Sequence, residues 1–380
     1  MIEQTHIRTQ SPDALMVLLT GDMVLDVPGA DHWLSGIAPA LRSADLTVAH
    51  LEVPHTRRGS ELAGDVPAPG ADPDNLDALA RAGVGMVSLA GNHIADCGVQ
   101  GIADTVDRLE RLGIAHTGAG ATLAEASRAA VIERRGRRVA LLSYNCVGPE
   151  AGWAAPDRAG CNFLRMQAAD GKPVSPNSPL VAPTTEALEQ LRADITGARA
   201  RAHLVIVALH KGIVHTPAKL APYERPLAEA ALDAGADIVV GHHAHIVRGV
   251  EMRAGKALFH GLGNGCVVTH ALSPSQDHPA RAAWAKKRRE LFGFEPDPRY
   301  ELAPFHPEAV NAVIGVVRVE ADGGLRMGVI PVHVEPPGRP VCVNDARAEE
   351  VIAYLDRIGA MAGLPPRQWR REGPWLWMCT

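Results

Sequence analysis

The sequence lacks the features that mark secreted disulfide proteins, membrane proteins and nucleic-acid-binding proteins. Its six cysteines are scattered without a C-x-x-C pair, which excludes a zinc knuckle and a disulfide framework. No run of about 18 apolar residues is present to cross a membrane, and the N-terminus has neither the basic head nor the apolar stretch of a signal peptide. The net charge is −5 without a long basic cluster, so no nucleic-acid partner is expected. We therefore expect a cytoplasmic protein without a membrane partner.

Apolar runs of strand length alternate with helix-like segments, a pattern typical of an α/β protein. The predicted strands cover 14–21, 45–52, 84–93, 114–118, 203–210 and 237–243, and the predicted hairpins cover 129–145, 247–264 and 312–335. The predicted helices cover 33–42, 76–82, 99–112, 185–200, 224–234 and 346–360.

The domain organisation follows from two stretches that interrupt this alternation. Residues 146–183 and 267–309 are rich in Pro, Gly and aromatic residues and show little periodicity, as binding loops and lids often do. We predict a single domain over 1–380 with these two insertions and a Trp-rich tail at 361–380. The three tryptophans of the tail either cover an apolar groove or form a subunit contact. An exposed apolar patch usually means association, so a homo-oligomer through the tail is expected.

Polar side chains follow five of the predicted strands at the point where each strand ends. They are Asp22, Glu52, Asn92 with His93, His210, and the pair His243 and His245. Strand ends in α/β sheets converge on a common crevice, and in an extended chain residues 243 and 245 point to the same side. Carboxylate, amide and imidazole donors without thiolate suit Mn²⁺, Fe²⁺ or Zn²⁺. Six ligands exceed what one tetrahedral ion takes, so a hydrolytic site with two divalent ions is predicted.

These motifs resemble those of the CapA proteins, the poly-γ-glutamate capsule-synthesis family within the metallophosphoesterase-like (calcineurin-like) superfamily. The resemblance rests on Gly21-Asp22, Glu52, GNHIADCG (91–98), HKG (210–212) and GHHAH (241–245), and a later GLGN (261–264) is similar to the family's SLGN. It implies an α/β fold of the metallophosphatase type, a two-sheet αββα sandwich with mixed sheets. It also implies a dinuclear centre at the strand ends whose ligands are Asp22, Glu52 as the bridging residue, Asn92, His210, His243 and His245.

The same resemblance assigns the catalytic residues. His93 takes the place of the histidine that protonates the leaving group or polarises the scissile bond. Asp96, three residues later, either orients His93 or caps the helix that follows Cys97; the sequence leaves both open.

Several positions depart from the family pattern. Val24 stands where many superfamily members have a histidine ligand, so His242, Asp26 or water is expected to replace it. His50 precedes Leu51-Glu52 where asparagine is common, and we favour a packing role for it over a position pointing into the site. Lys211 places a cation near the crevice, which suits an anionic substrate. Lys211, His215 and His242 are therefore the predicted substrate-binding residues.

Three functions fit these residues. The first is hydrolysis of an amide bond in a small carboxylate-bearing substrate by a metal-bound hydroxide, with His93 as acid or electrophile. The second is phosphoester hydrolysis, because the same two ions stabilise an in-line displacement. The third is a capsule-assembly protein that binds metal without turnover. We favour the first, since no membrane address is apparent for capsule assembly.

Overall fold

The computed structural model describes residues 14–59, 70–270 and 306–379, together with residues 279, 282, 283, 290, 293, 294 and 297–302 between them. The strands of the described residues, in chain order, are β1 Leu15–Leu25, β2 Leu46–Leu51, β3 Val84–Ser88, β4 Ala115–Thr117, β5 Ala119–Gly120, β6 Ala130–Arg134, β7 Arg137–Asn145, β8 Gly160–Cys161, β9 Met166–Ala168, β10 Leu180–Pro183, β11 Leu204–Lys211, β12 Ile238–His243, β13 Val247–Arg253, β14 Lys256–Leu262, β15 Asn264–Val268, β16 Asn311–Val319, β17 Leu325–Glu335, β18 Arg339–Cys342, β19 Trp369–Glu372 and β20 Trp375–Met378. The α-helices are α1 Ala30–Leu34, α2 Ala38–Leu41, α3 Leu76–Arg81, α4 Gly98–Arg111, α5 Leu123–Ala126, α6 Thr185–Arg199, α7 Glu224–Asp233 and α8 Ala346–Met361.

Two large mixed sheets form the centre of the fold. The first has the order β19-β20-β17-β16-β1-β2-β3-β4, with β15 added to β1 and β18 added to β17. The second has the order β13-β14-β12-β11-β7-β6. Strands β1 to β4 run parallel, as do β7, β11, β12 and β14, whereas β16, β13 and β6 join antiparallel. Mixed sheets of this kind follow from joining crossover connections with hairpins in one chain.

The sheets pack face to face through one apolar layer. Val17 and Leu19 of β1 lie in it together with Leu141 of β7, Ile206 of β11 and Val240 of β12, all of them fully buried. The alternate residues of the same strands point outward and are also buried, because helices cover the outer faces. Strands covered on both faces read as continuous apolar runs.

Helices α1 and α3 cover the first sheet, and α6 and α7 cover the second. Leu34 and Leu79 pack under the first pair, and Leu191 and Leu227 pack under the second. The order of layers is therefore helix, sheet, sheet, helix, and the predicted αββα sandwich with mixed sheets is confirmed.

The predicted helix at 33–42 is wrong, because the chain forms two short helices there. A Cβ on Gly36 would lie 2.4 Å from the carbonyl oxygen of Pro340, so the backbone passes too close to β18 for a continuous helix with side chains. Pro39 then sits in the first turn of α2, where its missing N–H costs no hydrogen bond. The longer predicted helices at 99–112, 185–200, 224–234 and 346–360 are confirmed within two residues at each end.

The predicted insertions contain more structure than their composition indicates. Residues 146–183 include β8, β9 and β10, which pair with one another or with β5 in two small sheets. Residues 267 and 268 end β15, and most of the remaining stretch to 309 lies outside the described residues.

The Trp-rich tail is part of the first sheet. Strand β20 pairs with β17 and with β19, and Trp375 and Trp377 are buried at 8% and 2% exposure. The tail therefore covers an apolar groove of its own chain, and the subunit contact expected of it stays a prediction.

No helix within the described part of the chain combines the length and the apolar character needed to cross a bilayer.

Candidate metal centre

A row of polar residues crosses the first sheet at the ends of its parallel strands. In the strand register Asp22 of β1 lies opposite Asn264 of β15 on one side and His50 of β2 on the other. His50 in turn lies opposite Ser88 of β3. Neighbouring strands at the same register place their side chains about 5 Å apart. The sheet alone therefore assembles part of the centre.

The position of Asp22 depends on irregular backbone. The β1–β2 register shifts between Leu19 and Asp22, and the β1–β15 register shifts directly after Asp22. Such bulges re-aim a side chain next to active sites. A Cβ on Gly21 would lie 1.7 Å from the carbonyl oxygen of Gly263, so only glycine allows the two strands to approach here. The Gly21-Asp22 pair therefore sets the geometry of this bulge.

The second sheet supplies most of the imidazoles. His210 of β11 pairs in register with His242 of β12, and the His210 ring centre lies 4.8 Å from that of His243. His243 and His245 have positive φ values of 85° and 53°, a region that residues other than glycine rarely adopt. The extended backbone expected at these two residues is therefore not what the structure shows. Strained backbone of this kind occurs at functional sites, where surrounding contacts hold it in place.

His245 connects the centre to Glu52 and to the GLGN segment. Its Nε2 atom lies 3.0 Å from Oε1 of Glu52, and its Nδ1 atom lies 2.9 Å from Oδ1 of Asn264. Asn264 therefore fixes the orientation of an imidazole whose other nitrogen faces the carboxylate. Sequence reasoning gave Asn264 no role, although GLGN was the signal that pointed to it.

Several buried donor atoms converge without a hydrogen-bond partner. Asp22, His50 and His210 each offer one ligand atom, and these three atoms all lie within 4.8 Å of one another. The atoms without a partner include Nε2 of His50, Oε2 of Glu52, Nδ1 of His210 and both ring nitrogens of His243. A buried polar atom without a partner is costly unless something else satisfies it. Oxygen and imidazole donors in this arrangement fit a divalent cation.

The protonation states favour a cation at the same place. Burial, and then the charge of Glu52, raises the pKa of Asp22 to about 7. Burial would also raise the pKa of Glu52, but the charge and hydrogen bond of His245, together with the charges of His93 and His50, outweigh burial and lower that pKa to about 2. Burial lowers the pKa of His243 to about 3 and holds the pKa values of His50 and His210 well below 6.5. The centre therefore presents neutral imidazoles beside an ionised carboxylate.

His245 is the exception among these imidazoles. Burial disfavours its charged form, yet the charge of Glu52 and the hydrogen bond between the two groups raise its pKa to about 9. A divalent cation and this proton compete for the same nitrogen and oxygen atoms.

Asn92 and His93 follow β3 in the GNH loop. Oδ1 of Asn92 lies 2.6 Å from Nε2 of His210, which brings the predicted amide ligand against a predicted imidazole ligand. Nδ1 of His93 lies 2.7 Å from Oδ2 of Asp96. Helix α4 begins at Gly98, and its N-cap residue is Cys97, which makes no side-chain cap hydrogen bond. Of the two roles left open for Asp96, the geometry favours the contact with His93.

The structure places two of the predicted substrate-binding residues, Lys211 and His242, in buried contacts with the protein itself. The ammonium group of Lys211 is fully buried and lies 2.8 Å from Oε2 of Glu224, so it points away from the crevice into an ion pair. His242 donates through Nε2 to the carbonyl of Thr20 at 3.2 Å, and its ring stacks on His50. The ammonium group of Lys211 is therefore not available to a substrate, whereas Nδ1 of His242 has no hydrogen-bond partner.

His215 lies at the edge of the centre. Its ring centre lies 5.7 Å from that of His245 and 5.6 Å from that of Phe294. It also lines a cavity of about 500 Å³ between residues 176–181 and residues 212–223. The third predicted substrate-binding residue therefore lies between the metal centre and a cavity.

His50 is the residue whose expected role changes most. The sequence favoured packing, but Nδ1 of His50 lies 2.9 Å from Oγ of Ser88 while Nε2 faces Oδ1 of Asp22 at 4.0 Å. It belongs to the group that is close enough to share one ion.

Together these features define a two-sheet α/β protein with a buried oxygen and imidazole centre at its strand ends. A family model described as the bacterial capsule synthesis protein PGA_cap matches residues 13–267. The chain belongs to this family, which confirms the resemblance to the CapA proteins.

Curated relatives agree with this assignment. The chain is 27% identical to the PGA biosynthesis protein CapA of Bacillus subtilis (strain 168), over 69% of this chain and 66% of the relative. It is 26% identical to the capsule biosynthesis protein CapA of Bacillus anthracis, over 62% and 54%. It is 32% identical to a "Probable polyglutamine synthesis accessory protein" of Mycobacterium tuberculosis (strain ATCC 25618 / H37Rv), over 50% and 47%. The chain thus spans about half to two thirds of the length of these relatives.

Solved structures are more distant. The NAD nucleotidase of Haemophilus influenzae matches 90% of this chain and 62% of its own with a TM-score of 0.41 and 10% identity. The calcineurin-like phosphoesterase YfkN of Bacillus subtilis matches 91% and 98% with a TM-score of 0.38 and 13% identity. Nothing about activity follows from likenesses this loose.

Proposed function

We propose that this chain is a metal-dependent hydrolase that cleaves an amide bond in a small carboxylate-bearing substrate. The observation that carries the proposal is the convergence of buried donor atoms beside the His93–Asp96 pair. Asp22 lies in the close group of ligand atoms, and Glu52, His210 and His243 each carry a buried atom without a hydrogen-bond partner. These residues, with Asn92 and His245, would hold two divalent ions (Mn²⁺, Zn²⁺ or Fe²⁺). When bound, such ions polarise the scissile group and lower the pKa of water to near neutrality.

His93 supplies the proton in this proposal. Its Nδ1 atom is held by Asp96, and in this proposal Nε2 is the atom that faces the leaving group. Asp96 is 2% exposed, so water does not compete for this hydrogen bond. A carboxylate in that position stabilises the protonated imidazole and fixes its orientation. The pair is thereby suited to donate a proton to the amine released from an amide.

The substrate is proposed to enter through the cavity beside His215. Its walls combine apolar residues such as Pro179, Leu180 and Val214 with Lys219, an exposed residue that carries an ammonium group. Lys219 thus takes over the role that Lys211 cannot fill, that of a cation for a substrate carboxylate. Residues 176–181 belong to the stretch 146–183, whose composition is typical of binding loops.

The amide is preferred to the phosphoester because of what the relatives are named for. Two of them carry names that refer to the synthesis of a glutamate or glutamine polymer, whose units are joined by amide bonds. Phosphoester hydrolysis and a capsule-assembly role without turnover remain as the alternatives that an experiment separates.

The test is a panel of dipeptides, lactams, γ-glutamyl amides and aryl phosphodiesters, assayed on metal-analysed protein with added Mn²⁺. We expect amine release from a carboxylate-bearing amide, its loss in His93→Ala, and a higher KM with unchanged kcat in Lys219→Met. Turnover of the phosphodiester alone assigns the phosphoesterase function instead. Metal binding without turnover of any member of the panel contradicts both hydrolytic assignments.

A further inference from the structure

We infer that His50 is a metal ligand, bound through Nε2 and held in place by Ser88. The inference rests on the proposed function to the extent that it requires the centre to bind a divalent cation. It assigns to this chain a ligand on β2, a position for which the sequence favoured packing.

The first observation is the register of the sheet. Asp22 and His50 are direct partners across β1 and β2, and Val24, two residues after Asp22, carries no donor. Val24 pairs with Val267 and is buried at 7% exposure as part of the apolar ladder. The neighbouring strand thus provides the imidazole that β1 itself does not provide.

The second observation is the state of the two ring nitrogens. His50 is 1% exposed; Nδ1 lies 2.9 Å from Oγ of Ser88, and Nε2 has no hydrogen-bond partner. The Ser88 hydroxyl in turn lies 3.5 Å from the carbonyl oxygen of Ala49, which only accepts. A hydroxyl whose hydrogen is directed to that carbonyl accepts from Nδ1–H of His50. The proton is then on Nδ1, and Nε2 presents its lone pair towards Asp22.

The third observation is the distance between donors. The ligand atoms of Asp22, His50 and His210 all lie within 4.8 Å of one another. The rings of His50 and His210 are 4.7 Å apart at a tilt of 36°, so they do not stack flat against each other as packing partners would. Hydrogen bonding of the second nitrogen by a hydroxyl, carbonyl or carboxylate is the usual arrangement for a histidine that binds metal.

The other residues expected to replace the missing ligand fit less well. His242 donates Nε2–H to Thr20 and turns only its stacked face to His50. The carboxylate of Asp26 accepts from the Thr269 hydroxyl at 2.7 Å, beyond the bulge that turns Asp22 into the centre. Neither is in the close group with Asp22 and His210.

The experiment compares metal binding by wild type, His50→Phe and Ser88→Ala after chelation of bound ions. Phenylalanine keeps a ring beside His242 and His210 but has no lone pair to donate. The probes are Zn²⁺ and Co²⁺ alone, read by elemental analysis, calorimetric titration and the visible absorption of Co²⁺, none of which requires turnover. Two matched controls accompany them: His55→Phe changes another buried imidazole three residues beyond Glu52, and Thr47→Val removes another buried hydroxyl from β2.

We expect His50→Phe to lose one ion per chain, or to weaken one site by more than about 100-fold, with a changed Co²⁺ spectrum. We expect Ser88→Ala to weaken the same site by about 10- to 100-fold, as removal of such supporting partners generally does. Both controls should bind as wild type does. Should His50→Phe fail to fold, the result for Ser88→Ala decides, because Ser88→Ala leaves the imidazole in place.

The outcomes separate this inference from the proposed function. Wild type that binds no divalent ion overturns both. Wild type that binds ions, together with a folded His50→Phe of equal affinity, stoichiometry and Co²⁺ spectrum, overturns the inference and leaves the proposed function standing.

Discussion

The Nδ1 atom of His93 lies 2.7 Å from a carboxylate oxygen of Asp96, and both side chains are at most 9% exposed. The pair spans one turn of the loop between β3 and α4, so the same short segment carries both the imidazole and the group that orients it.

Replacing Asp96 by Asn should lower kcat for the amide substrate by about 100-fold, with little change in KM. The amide keeps the size of the carboxylate but cannot stabilise the charged imidazole, and general acid catalysis generally contributes about 10²- to 10⁴-fold. Steady-state kinetics with the best amide of the panel provides the measurement. As a control, the variant must contain as much metal as wild type does. If Asp96→Asn instead loses bound metal while kcat per bound ion is unchanged, Asp96 has a structural role.

The buried ion pair of Lys211 and Glu224 should stabilise the fold only while both charges are present. Lys211 and Glu224 are at most 1% exposed, and Oε1 of Glu224 also accepts from the backbone N–H of Ala221. Glu224→Gln leaves a buried ammonium uncompensated and should lower the free energy of unfolding by about 3–5 kcal/mol. The double variant Lys211→Met/Glu224→Gln should be less destabilised than Glu224→Gln alone. Urea unfolding of the three proteins gives the comparison.

The exposed pair of Asp31 and Arg81 is the matched control for that ion pair. Its side chains are 63% and 57% exposed, and Asp31→Asn should change stability by less than about 1 kcal/mol. Equal effects of Asp31→Asn and Glu224→Gln would contradict the assignment of Lys211 to a buried pair.

The stability of the fold should fall between pH 6.5 and pH 4, in part because of His55. This imidazole is fully buried outside the centre, and burial lowers its pKa to about 4, although the bond to the carbonyl of Val53 opposes the shift. The unfolded chain binds the proton near pH 6.5, so the stabilisation is complete above that pH. It is lost as the pH falls towards 4, by at most about 3 kcal/mol.

Chemical unfolding of wild type and His55→Gln at pH 7 and pH 4.5 measures this contribution. The variant should lose less stability on acidification than wild type does. His32→Gln, which changes an exposed imidazole, should leave the pH dependence as it is in wild type. Identical slopes for wild type and His55→Gln would falsify the assignment.

Gly91 leaves space in front of two candidate ligands. A Cβ at this position would lie 3.2 Å from Nε2 of His50 and 3.3 Å from Cε1 of His210. The methyl group of Gly91→Ala should push these two imidazoles out of place while the chain still folds. Metal binding should then weaken about 10-fold or more, as it does when a residue that orients a ligand is removed. Gly197→Ala is the control, because a Cβ there meets nothing within 4 Å on helix α6. Calorimetric titration with Zn²⁺ compares them, and equal affinities would mean that the ions bind elsewhere.

The parts of the fold that could be predicted from the sequence are those set by local pattern. The apolar runs that become β1, β11 and β12 are long and unbroken, because both of their faces are buried. Their polar ends stand out against these runs, so Asp22 and His210 could be recognised as candidate ligands. The GNH loop was similarly evident, because Asn92, His93 and Asp96 are close in the chain.

The parts that could not be predicted depend on partners far away in the chain. Nothing near Lys211 in the sequence shows that its ammonium group forms an ion pair with Glu224. The orientation of His50 likewise depends on Ser88, 38 residues later. The sequence left open whether the tail covers a groove or forms a subunit contact, and only the pairing of β20 with β17 shows that Trp375 and Trp377 are buried. In each case the periodicity of the chain identified the element, whereas the register between elements decided the role of the side chain.

Crystals saturated with Mn²⁺ or Zn²⁺ and measured at the absorption edge of the metal test the central claim most directly. The account predicts anomalous peaks within coordination distance, about 2.0–2.2 Å, of Asp22, Glu52, His210 and His243. Peaks found only at other positions, or no peak in metal-saturated crystals, would contradict it.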